Sequence, residues 1–440
     1  MTREIITIAV GGAGCRMALE FWRRLMAEHG IAANGRSMRS SRADERPRTF
    51  FVETRAGQYA PRALFVDLDP DTADELRAHE LRQVLPPEFV VVGEADAASN
   101  FARGRDLGRE ALDDRVRDRL RKLVDSTQNL QGFVLFHAAG GGTGSGVAAA
   151  LLDRLAADYR KKSVVTFTLM PSLALQRAAT EPYNAMFTLS ALRTRSALSF
   201  VFDNDALYAM CQRSLAVKDP SLADLNRLIG QAAADVTALL RFVDAEGGAD
   251  LNTLQTSLVC APGRQFITLS LAPVETAAKL GARPPDVSTI SDRVRAPEAC
   301  LAALDAGDPS AEKIIAAILI YRGKIAAKEI NASLARLKAR GWPSLVEGVA
   351  GGLKALQIDA PTASIAGDAR GAAKRTVTLL AATTAMASYL ERVDHSAGPM
   401  LAGQAFAHWF TDAGAEAGEL LAARTDLVDL IDAYASMRAP

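Results

Sequence analysis

Much that would classify a chain of 440 residues at first sight is missing from this one. It has four cysteines, Cys15, Cys211, Cys260 and Cys300, widely spaced and with no C-x-x-C pair. That spacing argues against a disulfide framework or a cysteine-held metal cluster and points to a reducing, cytoplasmic setting. No apolar run reaches the ~18–20 residues of a membrane-spanning helix, so membrane insertion is not expected. Charge of one sign is absent as well: Lys plus Arg number 51 and Asp plus Glu 51. A net charge of zero gives no electrostatic reason to expect nucleic acid or an anionic membrane as partner, and it leaves self-association unopposed. The sequence ends without an acidic low-complexity stretch, so a surface tail recruiting further proteins is not expected. What is plentiful is apolar content, 49% of residues, enough to bury cores across two or three domains.

One stretch organises the rest. Residues 133–146 read FVLFHAAGGGTGSG: an apolar run of strand composition, then five glycines, Thr143 and Ser145 within 140–146, then a helical pattern over 147–159. Glycines let backbone N–H groups close on an anion, the helix that follows adds its positive N-terminal end, and the two hydroxyls can donate. The stretch therefore reads as a phosphate cradle. It is not a P-loop, for no Lys follows, and no register gives G-x-G-x-x-G or G-x-S-x-G. A flexible linker of this composition would not stand between a buried strand and an amphipathic helix.

Residues 5–10 predict a strand, 11–14 a tight glycine loop and 17–29 a helix, a second phosphate-binding turn unless it is only a close-packed corner. A strand at 63–66 ends in Asp67-Leu68-Asp69-Pro70. A carboxylate at such a strand end can hold Mg²⁺ directly or through water, and Asp69 is the candidate, although an Asp before Pro is also an ordinary turn residue. Further strands are expected at 89–92, 164–170, 198–202, 266–271, 314–321 and 376–382. Helices are expected at 106–126, 221–242, 400–410 and 415–437, the 221–242 helix carrying Leu225, Ala232 and Val236 at helical spacing. Six arginines in 34–55 with little apolar pattern predict an exposed, mobile loop, and 281–285 breaks regular structure.

The segment 140–146 resembles the signature of the tubulin/FtsZ superfamily, and other segments agree in order along nearly the whole chain: Arg3-Glu4-Ile5, Phe21-Trp22, Glu28-His29-Gly30-Ile31, Pro61-Arg62-Ala63, Val66-Asp67-Leu68-Asp69-Pro70, Glu181-Pro182-Tyr183-Asn184, Asp203-Asn204, Asp224-Leu225-Asn226 and His408-Trp409. The resemblance is closer to tubulins proper, including bacterial ones, than to FtsZ. It implies an α/β fold: a nucleotide-binding domain with a mostly parallel sheet (1–220), a long core helix and interface loop (221–259), a smaller α/β second domain (260–384) and C-terminal helices (385–440). It implies GTP or GDP with Mg²⁺ as cofactors. Phosphates would meet Gly11, Gly12, Ala13, Gly14 and Cys15, then Asn100, then Ala138, Gly140, Gly141, Gly142, Thr143, Gly144 and Ser145. Glu181 would take the ribose, Asn204 and Asn226 the guanine, and Leu222 would cover the ring. The sequence departs from the family pattern in Gly12 (usually Gln), Cys15 (Asn), Ala98 (Gly), Ser99 (Asn), Arg177 (often Asp) and Leu222 (Tyr).

By the same resemblance, hydrolysis belongs to the interface between subunits, where acids on a loop of one molecule orient water at the next molecule's γ-phosphate. Here that loop is 246–253. Asp250 matches the first acid, while Thr253 stands at the second and cannot act as a carboxylate base. Asp250 alone, Glu246, or a second subunit type would have to compensate; Asp250 can also be read as the N-cap of a helix over 251–258. The leading expectation is a cytoskeletal GTPase that assembles head to tail, with itself or a second tubulin-like subunit, since heterologous contacts that do not close give filaments. A hydrolysis-poor paralogue serving as structural or capping partner is the alternative. A Rossmann-type dehydrogenase lacks the required glycine spacing.

Overall fold

The computed structural model describes residues 3–38, 46–172, 177–242, 249–282, 284–304, 312–347, 352–416 and 418–438. Its strands are β1 (Glu4–Val10), β2 (Phe51–Glu53), β3 (Tyr59–Pro61), β4 (Ala63–Asp67), β5 (Val90–Val92), β6 (Leu130–Ala138), β7 (Ser163–Met170), β8 (Leu198–Asp203), β9 (Phe266–Ala272), β10 (Ile314–Arg322), β11 (Leu353–Ile358) and β12 (Thr376–Thr383). Among the described residues, ten strands make one sheet ordered β11-β10-β12-β9-β8-β7-β6-β1-β4-β5. From β5 across to β9 every pairing is parallel; β12 then runs antiparallel to both β9 and β10. The fold is the mostly parallel α/β architecture expected, with helices on both faces. That is why β1, β4 and β8 are buried at every position and read as unbroken apolar runs rather than alternating ones.

Four helices position the site. Helix α1 (Gly11–His29) follows β1 without a gap, because Gly11 takes φ +76° and turns the chain within a single residue. The expected loop at 11–14 is therefore the helix's own first turn. Helix α2 (Asp71–Ala78) follows β4, and α3 (Phe101–Leu107) starts at an Asn100 cap and continues through a wider turn, Gly108–Leu112, toward Asp125, so the helix expected at 106–126 begins five residues earlier. Helix α4 (Leu222–Arg241) is capped reciprocally by Ser221 and Asp224 and is buried almost throughout. It lies against α1 so closely that a Cβ on Gly230 would stand 2.8 Å from the Glu20 backbone.

Two further expectations fail. The 34–55 segment is not simply an exposed loop: Phe50 and Phe51 are fully buried, Phe51 packs edge-on against Trp22 at 5.2 Å, and β2 pairs with β3 in a hairpin. The arginine-rich flank concealed two aromatics whose burial fixes the segment's end; residues 39–45 lie outside the described residues. Nor is 400–410 one helix. A helix over Met386–Ala402 stops, Gln404 and Phe406 adopt left-handed φ values of 51° and 57°, and a new turn begins at Ala407. No helix among the described residues is long and apolar enough to cross a membrane.

Candidate functional site

Parallel strands deliver their C-terminal ends to one edge of the sheet, and the chain turns to opposite sides of β1 when it forms β4 and β6. A crevice opens at such a switch point. Here it is a cavity of about 400 Å³ lined by Gly11, Gly12 and Ala13 after β1, Asp69 after β4, Ala97 to Ser99 before α3, Ala138 at the end of β6, and Gly141, Gly142, Thr143 and Gly144 beyond it. The sequence thus brings both glycine turns and the metal candidate to one wall-to-wall site. A larger cavity, about 480 Å³, lies beside Cys300 and Trp342, and none of the expected residues lines it.

The glycines are required by close approach. A Cβ on Gly144 would stand 2.5 Å from the Ala138 carbonyl oxygen, and one on Gly142 would stand 2.5 Å from the Asn100 nitrogen, whereas Gly141 faces open space. The loop is held from behind. His137, fully buried, meets the Gly144 carbonyl through Nδ1 at 2.9 Å and the Thr168 hydroxyl through Nε2 at 3.0 Å. Burial drives its pKa down to about 4, so the ring is neutral; Nδ1 must then donate to the carbonyl and Nε2 accept from Thr168. Asn184 donates to the carbonyls of Gly140 (2.7 Å) and Ser99 (2.8 Å), tying the two loops together. Ala98 and Ser99 both have left-handed φ, 47° and 51°, a conformation that costs a non-glycine residue on the order of 1 kcal/mol or more.

Several expected site residues are not among this cavity's lining. The Asn100 side chain does not line the cavity: it accepts from the amides of Ala102 and Arg103 and donates to the Trp409 carbonyl. Ser145 donates its hydroxyl to the Gly141 carbonyl at 2.5 Å and is buried, while Gly14 abuts the Phe136 carbonyl and Cys15 is buried beneath the turn. The nucleoside candidates Glu181, Asn204, Leu222 and Asn226 lie outside this cavity's lining. Among the described residues, Glu181 Oε2 and Asn204 Oδ1 are buried without a protein hydrogen-bond partner, and Leu222 is 39% exposed. Buried oxygens of this kind can accept from a water or from a ligand. Gly140 sits between, its missing Cβ only 3.5 Å from Glu181 Cγ.

Residues the sequence reading left out also line the cavity: Arg16, Asp67, Asp71, Thr72, Glu75 and Asp96. Asp67 accepts from the Thr72 hydroxyl at 2.6 Å and from the Leu68 amide at 2.7 Å; burial raises its pKa against those bonds. Arg16 stands four residues after Gly12 on one helix face, the signal that could have found it.

Asp250 is at the other end of the molecule. It caps the helix Leu251–Leu258 by accepting from both the amide (2.6 Å) and the hydroxyl (2.7 Å) of Thr253, and its second oxygen lies 3.6 Å from Arg3. The neighbouring Asn252 reaches Ser163 at the start of β7. These are N-terminal strand ends. Spanning the seven residues of β1 at ~3.3 Å each puts roughly 20 Å between Asp250 and the cavity. Glu246 lies outside the described residues.

The family model described as "Tubulin/FtsZ family, GTPase domain" matches residues 4–212, and that of the "Tubulin C-terminal domain" matches 262–395. Among relatives, the tubulin alpha-1 chain of Pelvetia fastigiata is 39% identical over 99% of this chain and 96% of its own length. The tubulin alpha-1B chain of Physarum polycephalum and the tubulin alpha chain of Trypanosoma cruzi are each 38% identical over 99% of this chain and 97% of theirs. A cavity built from two glycine turns at the switch point of a parallel sheet, and likeness to these proteins from end to end, have one common explanation: the chain belongs to the tubulin/FtsZ family.

Proposed function

We propose that the chain is a cytoskeletal GTPase: it holds GTP or GDP in the glycine-walled cavity and stacks head to tail, so that Asp250 of one subunit meets the nucleotide of the next. The observation that carries this reading is the placement of cavity and Asp250 at opposite ends of parallel strands. One molecule cannot join them; two molecules stacked along the strand direction can, and such contacts propagate rather than close. Supporting it are the orphaned oxygens of Glu181 and Asn204, an acceptor suited to a ribose hydroxyl and one suited to the donor edge of guanine. The carboxylates at the strand ends suit a hard divalent cation. Asp69 would hold Mg²⁺, which would supply neutralisation of phosphate charge.

The hydrolysis-poor reading also has an observation in its favour. Partial burial works against ionisation of Asp250, yet the Thr253 hydroxyl and amide, with Arg3, hold its carboxyl below the usual range. A carboxylate so engaged is a weaker base. In sedimentation, the purified chain should pellet with GTP and not with GDP or without nucleotide, and phosphate release should rise only above the assembly concentration. Tight nucleotide binding without pelleting would instead favour a capping partner of another tubulin-like subunit.

Helix α3 offers a second test. A Cβ on Gly104 would lie 2.2 Å from the Gly142 carbonyl oxygen, inside the phosphate loop. Ala is the better helix former by ~1 kcal/mol, so Gly104→Ala should leave helix content intact while displacing the loop. Nucleotide affinity measured by calorimetry should fall by about tenfold, the equivalent of one lost hydrogen bond to a charged group.

A further inference from the structure

The cavity has an electrostatic imbalance. Carboxylates of Asp67, Asp69, Asp71, Glu75 and Asp96 line it, and among its described lining residues Arg16 is the only Lys, Arg or His. A nucleoside triphosphate adds still more negative charge, so its outermost phosphate needs cationic contacts, and Arg16 is the protein's own. Its position fits that need. Arg16 Nε donates to Glu75 Oε2 at 2.9 Å and Nη2 to Oε1 at 2.5 Å, a two-pronged pair that parks the guanidinium at the rim. Nη1 makes no protein hydrogen bond among the described residues and stands 4.0 Å from where a Cβ on Gly12 would be, in the same corner as Asp67 Oδ2 and Thr72 Oγ1. That corner is the end of the cavity toward β4 and α2, away from Glu181, Asn204 and Leu222, and so away from the nucleoside.

We propose that Arg16 is a terminal-phosphate contact and thereby a specificity-determining residue: its guanidinium leaves Glu75 for the γ-phosphate when a nucleoside triphosphate is bound and returns to Glu75 when a diphosphate is. The inference rests on the nucleotide reading of this cavity. The energetics allow the exchange. Both partners are nearly half exposed, 45% and 46%, and an exposed pair contributes at most about 1 kcal/mol. A phosphate oxygen pair matches the planar fork of Arg as well as a carboxylate does and carries more charge. Glu75 is then an intramolecular competitor that sets how strongly the third phosphate is felt.

The experiment is a calorimetric titration of the full chain with guanosine 5′-(β,γ-imido)triphosphate and with GDP, at fixed Mg²⁺, for the wild type, Arg16→Gln and Glu75→Gln. Arg16→Gln should weaken the triphosphate by about tenfold or more, the scale of one charge-assisted contact, and leave GDP within about twofold. Glu75→Gln, which frees the guanidinium, should tighten the triphosphate and leave GDP unchanged, a gain that misfolding cannot imitate. Equal weakening of both nucleotides by Arg16→Gln, or no change in either, overturns the proposal while the nucleotide site stands. A wild type that binds neither nucleotide overturns both.

Discussion

Replacing Glu28 with Gln should lower the stability of the chain by on the order of 3–5 kcal/mol in urea denaturation, the usual cost of removing one partner from a buried ion pair. Glu28 lies near the end of α1, with its side chain almost wholly buried. Its two oxygens meet Arg322 of β10 at 2.7 Å and Arg241 of α4 at 2.6 Å, and Arg322 also reaches Asp235 of α4 at 2.7 Å. Two carboxylates thus balance two guanidiniums. The Gln variant would keep the shape and leave one positive charge with no counter-ion in the interior. Burial on its own would raise the pKa of Glu28, but Arg322 and Arg241 overcome it and hold the carboxyl down to about 2, from an ordinary 4.5. A depressed carboxyl pKa stabilises the folded state above the unfolded value, so this contribution is whole at pH 7 and is lost as pH falls from about 4.5 toward 2. The difference between wild type and variant should therefore shrink as denaturation is repeated at lower pH. A difference under about 1 kcal/mol at pH 7 would mean that water reaches the cluster.

The second large effect is expected at Asp250, where one side chain has two readings. Asn is as good a helix N-cap as Asp, so Asp250→Asn should leave the Leu251–Leu258 helix, its stability and GTP-dependent pelleting essentially intact. An amide cannot take a proton from water. If the carboxylate orients or deprotonates water at the next subunit's nucleotide, assembly-coupled phosphate release should fall by about 100-fold, the lower range for a lost general base. Unchanged release would leave Asp250 as a cap alone. Mixing the variant with wild-type subunits sharpens the test: release should fall in proportion to the variant's share, because each nucleotide depends on a neighbour.

How far the sequence could be read depended on whether a position's role was local. The glycine turns were legible because backbone conformation and close approach leave a mark in composition: Gly11, Gly142 and Gly144 stand where no side chain fits. Central strands were legible because burial on both faces leaves an unbroken apolar run. The side-chain partner of Asn100 was not legible, for the opposite reason. Its partner, the Trp409 carbonyl, lies 309 positions away, and no local pattern announces it. The Phe50 and Phe51 anchors were hidden by flanking arginines, and nothing local pairs Arg16 with Glu75, 59 positions further along the chain. Ala98, by contrast, departs from the family's glycine yet takes a glycine-like φ, which puts strain into that loop.

Helices α1 and α4 start at the two halves of the proposed ligand, one at the phosphate turn and one at the base, lie against each other through Gly230, and finish among the same four buried charges, where His29 stacks on Phe242 at 5.2 Å. An α-helix of about 20 residues is a strut of some 30 Å that resists shortening. Two struts clamped together at the far end resist sliding past each other, and Arg322 of β10 is held in the same clamp. The packing at Gly230 and the shared charges at the far end thus join the two helices at two points along their length.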